Sequence, residues 1–283
     1  MKSFNLNPEA SEQLQAITGI IVKIAPPDRI WLLGSTLQHQ QYESIFHDPA
    51  ASQQWLSGCT LLILLPEFAR KEPLQWQDQI EQHCSPLLSV TTLVQLTTTF
   101  LEWLRAGHPF AVCVWQQASV LYDAQTIHYE AIPEVTESIT NPTIIKEGLL
   151  KAREFLAGAD LYRLRQQYKM AAFMLHQCAE QALQALLKAG TGYHSQTHNI
   201  ERLLQLCCLV SPQLASLFPL HTEAGKRLLH LLQKAYISAR YASDYGVTDE
   251  ELQTLTGKVE TLLSVVKETE WVLAVKNSEG VLV

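Results

Sequence analysis

The hydrophobic period changes once along this 283-residue chain, and that change limits what the chain can fold into. Up to about residue 125, apolar residues come in short unbroken runs separated by polar, helix-like stretches. From about residue 144 they recur at helical spacing. Unbroken runs of four to eight residues suit strands covered on both faces. A sustained 3.6 period suits amphipathic helices and nothing else. The switch therefore predicts an α+β chain of two parts, an α/β sheet followed by an all-α up-and-down bundle. The length is comfortable for two domains of about 140 residues each.

In the first part, residues 8–24 form an amphipathic helix with Leu14, Ile17, Ile20, Ile21 and Ile24 on one side, ended by Pro26-Pro27. Ile30–Leu33 reads as a buried strand closed by a tight turn at Gly34-Ser35. The polar stretch 37–57 reads as part helix, part loop. Cys59–Leu65 is a second strand, Gln75–His83 a helix, and Leu87–Leu93 and Phe110–Val114 further strands. A helix lies around Leu96–Ala106, and Ser119–Tyr122 is a last short strand. Residues 123–143 hold two prolines and no period, which places the linker at 126–143. The expected domains are 1–125 and 144–275, with a tail at 276–283.

In the second part, Phe173, His176, Leu183 and Leu187 line one stripe of a helix over 170–189, stopped by Gly190 and Gly192. Thr197 is the expected N-cap of a helix carrying Ile200, Leu203, Leu204 and Cys207. Residues 225–241 form another helix. Thr248 and Glu251 make a capping box for a last helix through Val266.

Charge is distributed unevenly. Residues 1–143 hold 6 basic and 14 acidic residues, and residues 144–283 hold 15 and 14. An acidic first half is a poor nucleic-acid platform. The one basic cluster runs from Lys146 to Lys169, as a solvated helix face or a phosphate-binding one. The longest apolar run, Leu61–Leu65, is far short of the roughly 20 residues that span a bilayer. The N-terminal stretch lacks the apolar core of a secretory signal. Six cysteines without a CxxC pair read as buried free thiols, so a cytoplasmic location is expected. Metal-ligand spacing, a Walker loop, GxSxG and DNA-binding motifs are all absent, so neither a metal nor a cofactor is expected.

Gly34-Ser35 after one strand, with a second strand at Cys59, resembles the minimal nucleotidyltransferase domain. In that family the Gly-Ser turn holds nucleotide phosphates, and an Asp-x-Asp on the next strand holds Mg²⁺ with a third carboxylate further on. Here the aspartate positions hold Gly58 and Thr60, and no carboxylate lies between Ala50 and Pro66. Neither residue supplies an anionic ligand for Mg²⁺. The resemblance thus implies a degenerate domain that keeps a phosphate-binding Gly34-Ser35 and has lost nucleotidyl transfer.

Residues 144–275 resemble the HEPN family. The residues that carry the resemblance are His176, Ala179 and Glu180, then Leu186-Leu187-Lys188, then Thr197-His198-Asn199, then Ala239-Arg240-Tyr241. Many HEPN proteins are metal-independent ribonucleases whose motif is an Arg followed four to six residues later by a His. A His moves a proton near neutral pH, and an Arg grips phosphate bidentately. This chain has Tyr245 where that His belongs. The resemblance implies a homodimer through the helical bundle and a nucleotide or RNA ligand at Arg240, Tyr241 and Asp244. It also implies an origin in a toxin–antitoxin or defence system.

Three functions follow as expectations. The first is a non-catalytic nucleotide- or RNA-binding protein. The second is a ribonuclease with a variant site, using Arg240 on the phosphate and Tyr245 or His176 for proton transfer. The third is a structural dimerisation scaffold. Tyr245 is also a candidate modification acceptor. His176 and Glu180, four apart on one helix, are either a satisfied core pair or a His–carboxylate site. His198 is expected as a cap or loop contact.

Overall fold

The computed structural model describes residues 8–40, 53–128, 141–219, 222–241 and 245–279. The chain divides into two compact units, Met1–Glu137 and Ser138–Val283. Among the described residues no helix is long and apolar enough to cross a membrane.

The first unit runs α1 (Pro8–Ile24), β1 (Arg29–Gln40), β2 (Gln53–Leu65), α2 (Pro73–Cys84), β3 (Ser89–Leu96), α3 (Thr97–Arg105), α4 (Pro109–Gln117) and β4 (Ser119–Asp123). The sheet order is β3-β2-β1-β4. β1 is antiparallel to both neighbours, and β2 is parallel to β3. Side chains alternate across the sheet, so the unbroken apolar run of β2 feeds two cores. Leu61, Ile63 and Leu65 join Leu14, Ile17 and Ile21 of α1 and Ile80 of α2 on one face. On the other, Trp31 packs against Phe100 of α3 and Trp115 of α4, at 5.2 and 5.9 Å between ring centres.

One end of the sheet is locked by two adjacent charged residues. Asp28 accepts from the hydroxyls of Thr97 at 2.5 Å and Thr126 at 2.6 Å. Arg29 pairs with Asp123 at 2.6 Å and lies 4.8 Å from the Trp115 ring. The two residues after Pro26-Pro27 thus hold together the starts of β1 and α3 and the end of β4.

Three expectations are corrected here. No turn forms at Gly34-Ser35: β1 continues through both residues, which pair with Thr60 and Cys59. A register shift between Leu32 and Gly34 makes a bulge at Leu33, which accommodates the glycine without ending the strand. Residues 37–40 and 53–57 are strand, not helix. Phe110–Val114 is not a strand. Pro109 opens a helix there, with Phe110, Ala111, Val112 and Val114 buried, so the run forms one apolar turn after another.

The second unit is all helix: α5 (Pro142–Leu164), α6 (Tyr168–Thr191), α7 (Ile200–Cys207), a 3-10 turn at Pro212–Ser216, α8 (Glu223–Tyr241) and α9 (Asp249–Glu279). α6 is the centre, packed against α5, α7, α8 and α9, with Leu175, Leu183 and Leu186 fully buried. Gly192 ends it at a φ of 76°, a left-handed cap where a side chain would be strained. Asn199, not Thr197, caps α7 by accepting from the Arg202 amide; Thr197 accepts from the Asn199 amide instead. Thr248 and Glu251 form the expected capping box. α9 runs on to Glu279, into the expected tail. The six cysteines are free.

α5 and α6 approach so closely at Gly148 that an added Cβ would stand 2.2 Å from the Ala185 Cβ. The same addition at Gly158 meets only the Met174 side chain, at 3.5 Å from Sδ and 3.6 Å from Cγ. Gly148→Leu is therefore expected to lower stability by about 1–3 kcal/mol. Gly158→Ala should raise it by up to about 1 kcal/mol through helix propensity. Urea midpoints of the two variants check the contrast.

Candidate functional site

The polar residues of the bundle converge on one buried carboxylate. α6 is buried along much of its length, and at its middle it carries His176, fully buried, and Glu180, 4% exposed. A buried carboxylate must be paired or hydrogen-bonded to remain ionised. Two other segments supply the partners. The left-handed cap at Gly192 turns the chain at the end of α6, and Gln184 of α6 donates to the Thr197 carbonyl at 3.4 Å. This brings His198 to Glu180. Gln233 of α8 holds the same segment, accepting from the Ile200 amide at 2.6 Å.

Glu180 Oε1 lies 2.9 Å from His198 Nδ1 and accepts from Gln184 Nε2 at 3.2 Å. Glu180 Oε2 lies 3.3 Å from His176 Nε2. That approach is an electrostatic contact rather than an aligned hydrogen bond, and both atoms are otherwise unbonded. His176 Nδ1 sits 3.0 Å from the Leu232 carbonyl of α8. A carbonyl only accepts, so Nδ1 carries a proton. A second proton on Nε2 would face the carboxylate and complete the pair. By the same logic His198 Nδ1 donates to Glu180, and in the neutral ring Nε2 is left as an acceptor. The ring of Tyr236 stacks with both imidazoles, at 4.6 Å and 18° for His198 and 5.1 Å and 28° for His176. His198 is half exposed. The cluster therefore reaches from the core to solvent.

Burial by itself raises the Glu180 carboxyl. Contact with the His176 and His198 imidazoles, and their charge, outweighs burial and holds the group below its ordinary value.

The other candidates lie elsewhere. Tyr245 is 6% exposed, and its hydroxyl donates to the Leu231 carbonyl at 3.0 Å. Burial, with Glu251 nearby, pushes its phenol up to about 12. That corrects two expectations: the hydroxyl is neither poised for proton transfer nor open to a modifying enzyme. Arg240 and Tyr241 are the last residues of α8, with Arg240 one turn beyond Tyr236. Their side chains, and Asp244, lie outside the described residues. Gly34 and Ser35 are half-buried strand residues of the first unit. Among the described residues no group of three or more His, Cys, Asp or Glu side chains is placed to hold a metal. Sequence reasoning found His176 and Glu180 but missed the bond from His198, because 18 residues and a chain reversal separate that pair. The legible signal was a histidine just after a glycine helix stop.

A carboxyl held low in the folded chain stabilises it above its ordinary value of 4.5, and that contribution disappears as pH falls through the lowered value. The melting-temperature gap between wild type and Glu180→Gln should therefore be full at neutral pH and shrink on acidification below 4.5. Thermal melts across that range check it.

No curated protein matches the chain. The first unit stands as an α/β sheet unit, with no family match for its resemblance to nucleotidyltransferases. Residues 145–269 match the family model of the HEPN domain, so the helical unit carries the signature of a family associated with RNA binding, RNA cleavage and defence or toxin–antitoxin roles.

Proposed function

We propose that the helical unit binds RNA or a nucleotide on the face where His198, Tyr236 and the end of α8 meet. The observation that carries this reading is the half-exposed His198 ring, stacked on Tyr236 and held from beneath by buried Glu180. Stacked rings offer a platform for a base, worth about 1–3 kcal/mol per base in known cases. Arg240, one turn beyond Tyr236, supplies a fixed positive charge for phosphate. This half is near neutral, with 15 basic against 14 acidic residues, and so opposes a phosphate less than the acidic first half does. An origin in a defence or toxin–antitoxin system fits the family's associations.

We further propose that the first unit descends from a nucleotidyltransferase and has lost its metal-binding carboxylates. Its support is β2, which carries Gly58 and Thr60 where that chemistry needs aspartates. Phosphate binding then falls to the helical unit, since Gly34-Ser35 makes no turn to cradle it.

A second reading, metal-independent RNA cleavage, is favoured by one contact. Glu180 fixes His198 through Nδ1, which leaves Nε2 to take a 2′-hydroxyl proton. In this version Tyr245 has no part.

Fluorescence anisotropy with a short single-stranded RNA and with ATP tests the first reading. Wild type should bind one of them. His198→Ala, Tyr236→Ala and Arg240→Ala should each weaken that affinity by about tenfold or more, in line with one lost stack or phosphate contact. Wild type that binds neither would reject it. For the second reading, RNA incubated with the protein in a chelator should be cut, and His198→Ala should abolish cutting while leaving part of the binding. Intact RNA in the wild-type reaction would dismiss cleavage alone.

A further inference from the structure

The Glu180 cluster has one open place for a proton, and that place faces solvent. The Nδ1 atoms of both imidazoles are already committed, His176 to the Leu232 carbonyl at 3.0 Å and His198 to Glu180 Oε1 at 2.9 Å. His176 Nε2 and Glu180 Oε2 lie 3.3 Å apart in the core, and neither has another partner. Two bare acceptors at that separation, away from water, repel each other, so a proton belongs between them. The inner imidazole is thereby filled. What remains is Nε2 of His198, on a side chain that is 50% exposed.

We infer that His198 Nε2 is a proton-gated contact for an anionic group, so that the face takes up a proton when it binds a phosphate-bearing ligand. This rests on the binding reading above, not on cleavage. Protonation turns Nε2 from an acceptor into a charged donor, the form that suits a phosphate oxygen. It also changes the cluster from neutral, one imidazolium against one carboxylate, to a single positive charge. Burial opposes the charge of Glu180, but contacts with His176 and His198 hold its carboxyl below its ordinary value. An anion therefore lies beneath the His198 ring across the range in which histidines titrate. The Tyr236 ring of α8 stacks on His198 at 4.6 Å, and Gln233 of α8 donates to the His198 carbonyl at 3.5 Å. In the same stretch of chain His194 and Glu201 are exposed, and among the described residues neither bonds to the His198 ring. Arg202 of α7 is buried near Tyr193. Arg240, one turn beyond Tyr236, adds a charge that does not titrate.

The full-length protein and a short oligouridylate without a terminal phosphate, which itself does not titrate between about pH 5.5 and 8, test this by anisotropy at constant ionic strength. Affinity is expected to fall as pH rises, by up to about tenfold per pH unit, the limit for one linked proton. His198→Gln keeps a donor toward Glu180 but takes no proton, and should flatten the profile at the weak level. His198→Arg, permanently charged, should flatten it at the tight level. Melting temperatures at each pH confirm that all three proteins are folded. Nitrogen NMR of the imidazoles, assigned with these variants and His176→Gln, needs no ligand. It should show His198 Nε2 gaining a proton on acidification, and both His176 nitrogens protonated at neutral pH. A wild type that binds with a flat profile would overturn the inference and leave the binding reading standing. A slope that survives in His198→Gln, or a bare Nε2 on His176, would do the same. A wild type that binds at no pH would remove both.

Discussion

A carboxylate in the middle of a bundle's central helix sets the terms for everything around it. Glu180 stays ionised only while partners reach it from outside α6, because water does not. Three elements have to converge. α6 supplies His176 and Gln184, the reversed segment before α7 supplies His198, and α8 presents the Leu232 carbonyl and the Tyr236 ring. The purely apolar contacts of the bundle could slide by a turn at modest cost. These polar contacts cannot, since each misregister strands a buried charge. The same cluster that fixes the packing of the helices thereby presents one imidazole to solvent in a defined tautomer.

The first unit solves a different problem. Its sheet is covered on both faces, so every residue of β2 from Cys59 to Leu65 is buried. Charged anchoring gathers at one end of the sheet, where Asp28 and Arg29 hold the start of α3 and the end of β4, while Glu81 of α2 accepts from Thr92 of β3 and Gln13 of α1 accepts from the Leu56 amide of β2. The Trp31, Phe100 and Trp115 group lies directly beneath, and Arg29 covers part of it. The charge that closes the sheet thus also seals an aromatic core.

Much of this was legible in residue order. The limits of α6 and α8 follow from period and stop signals, and Thr248 with Glu251 marks its helix start to the residue, whereas α5 was not read as a helix and the cap of α7 is Asn199 rather than Thr197. What was not legible has local physical reasons. Phe110–Val114 is five apolar residues, too short for period to separate strand from helix, and Pro109 was the better guide. Gly34-Ser35 reads as a turn by composition, yet a bulge at Leu33 lets the strand pass through. At the candidate site, the pair four apart on α6 was visible, because helical spacing alone brings it together. The His198 contact required knowing which way the chain leaves Gly192. Tyr245, singled out for its place after Arg240, turned out to be a tether between the last loop and α8.

Because its members come from three separate elements, the Glu180 cluster exists only in the fully packed bundle. A chain with its helices formed but loosely assembled would keep its helical content and lose the stacking of two imidazoles on Tyr236. The surroundings of that one ring are therefore a built-in indicator of native packing. They distinguish a bundle able to present His198 from one that is merely helical.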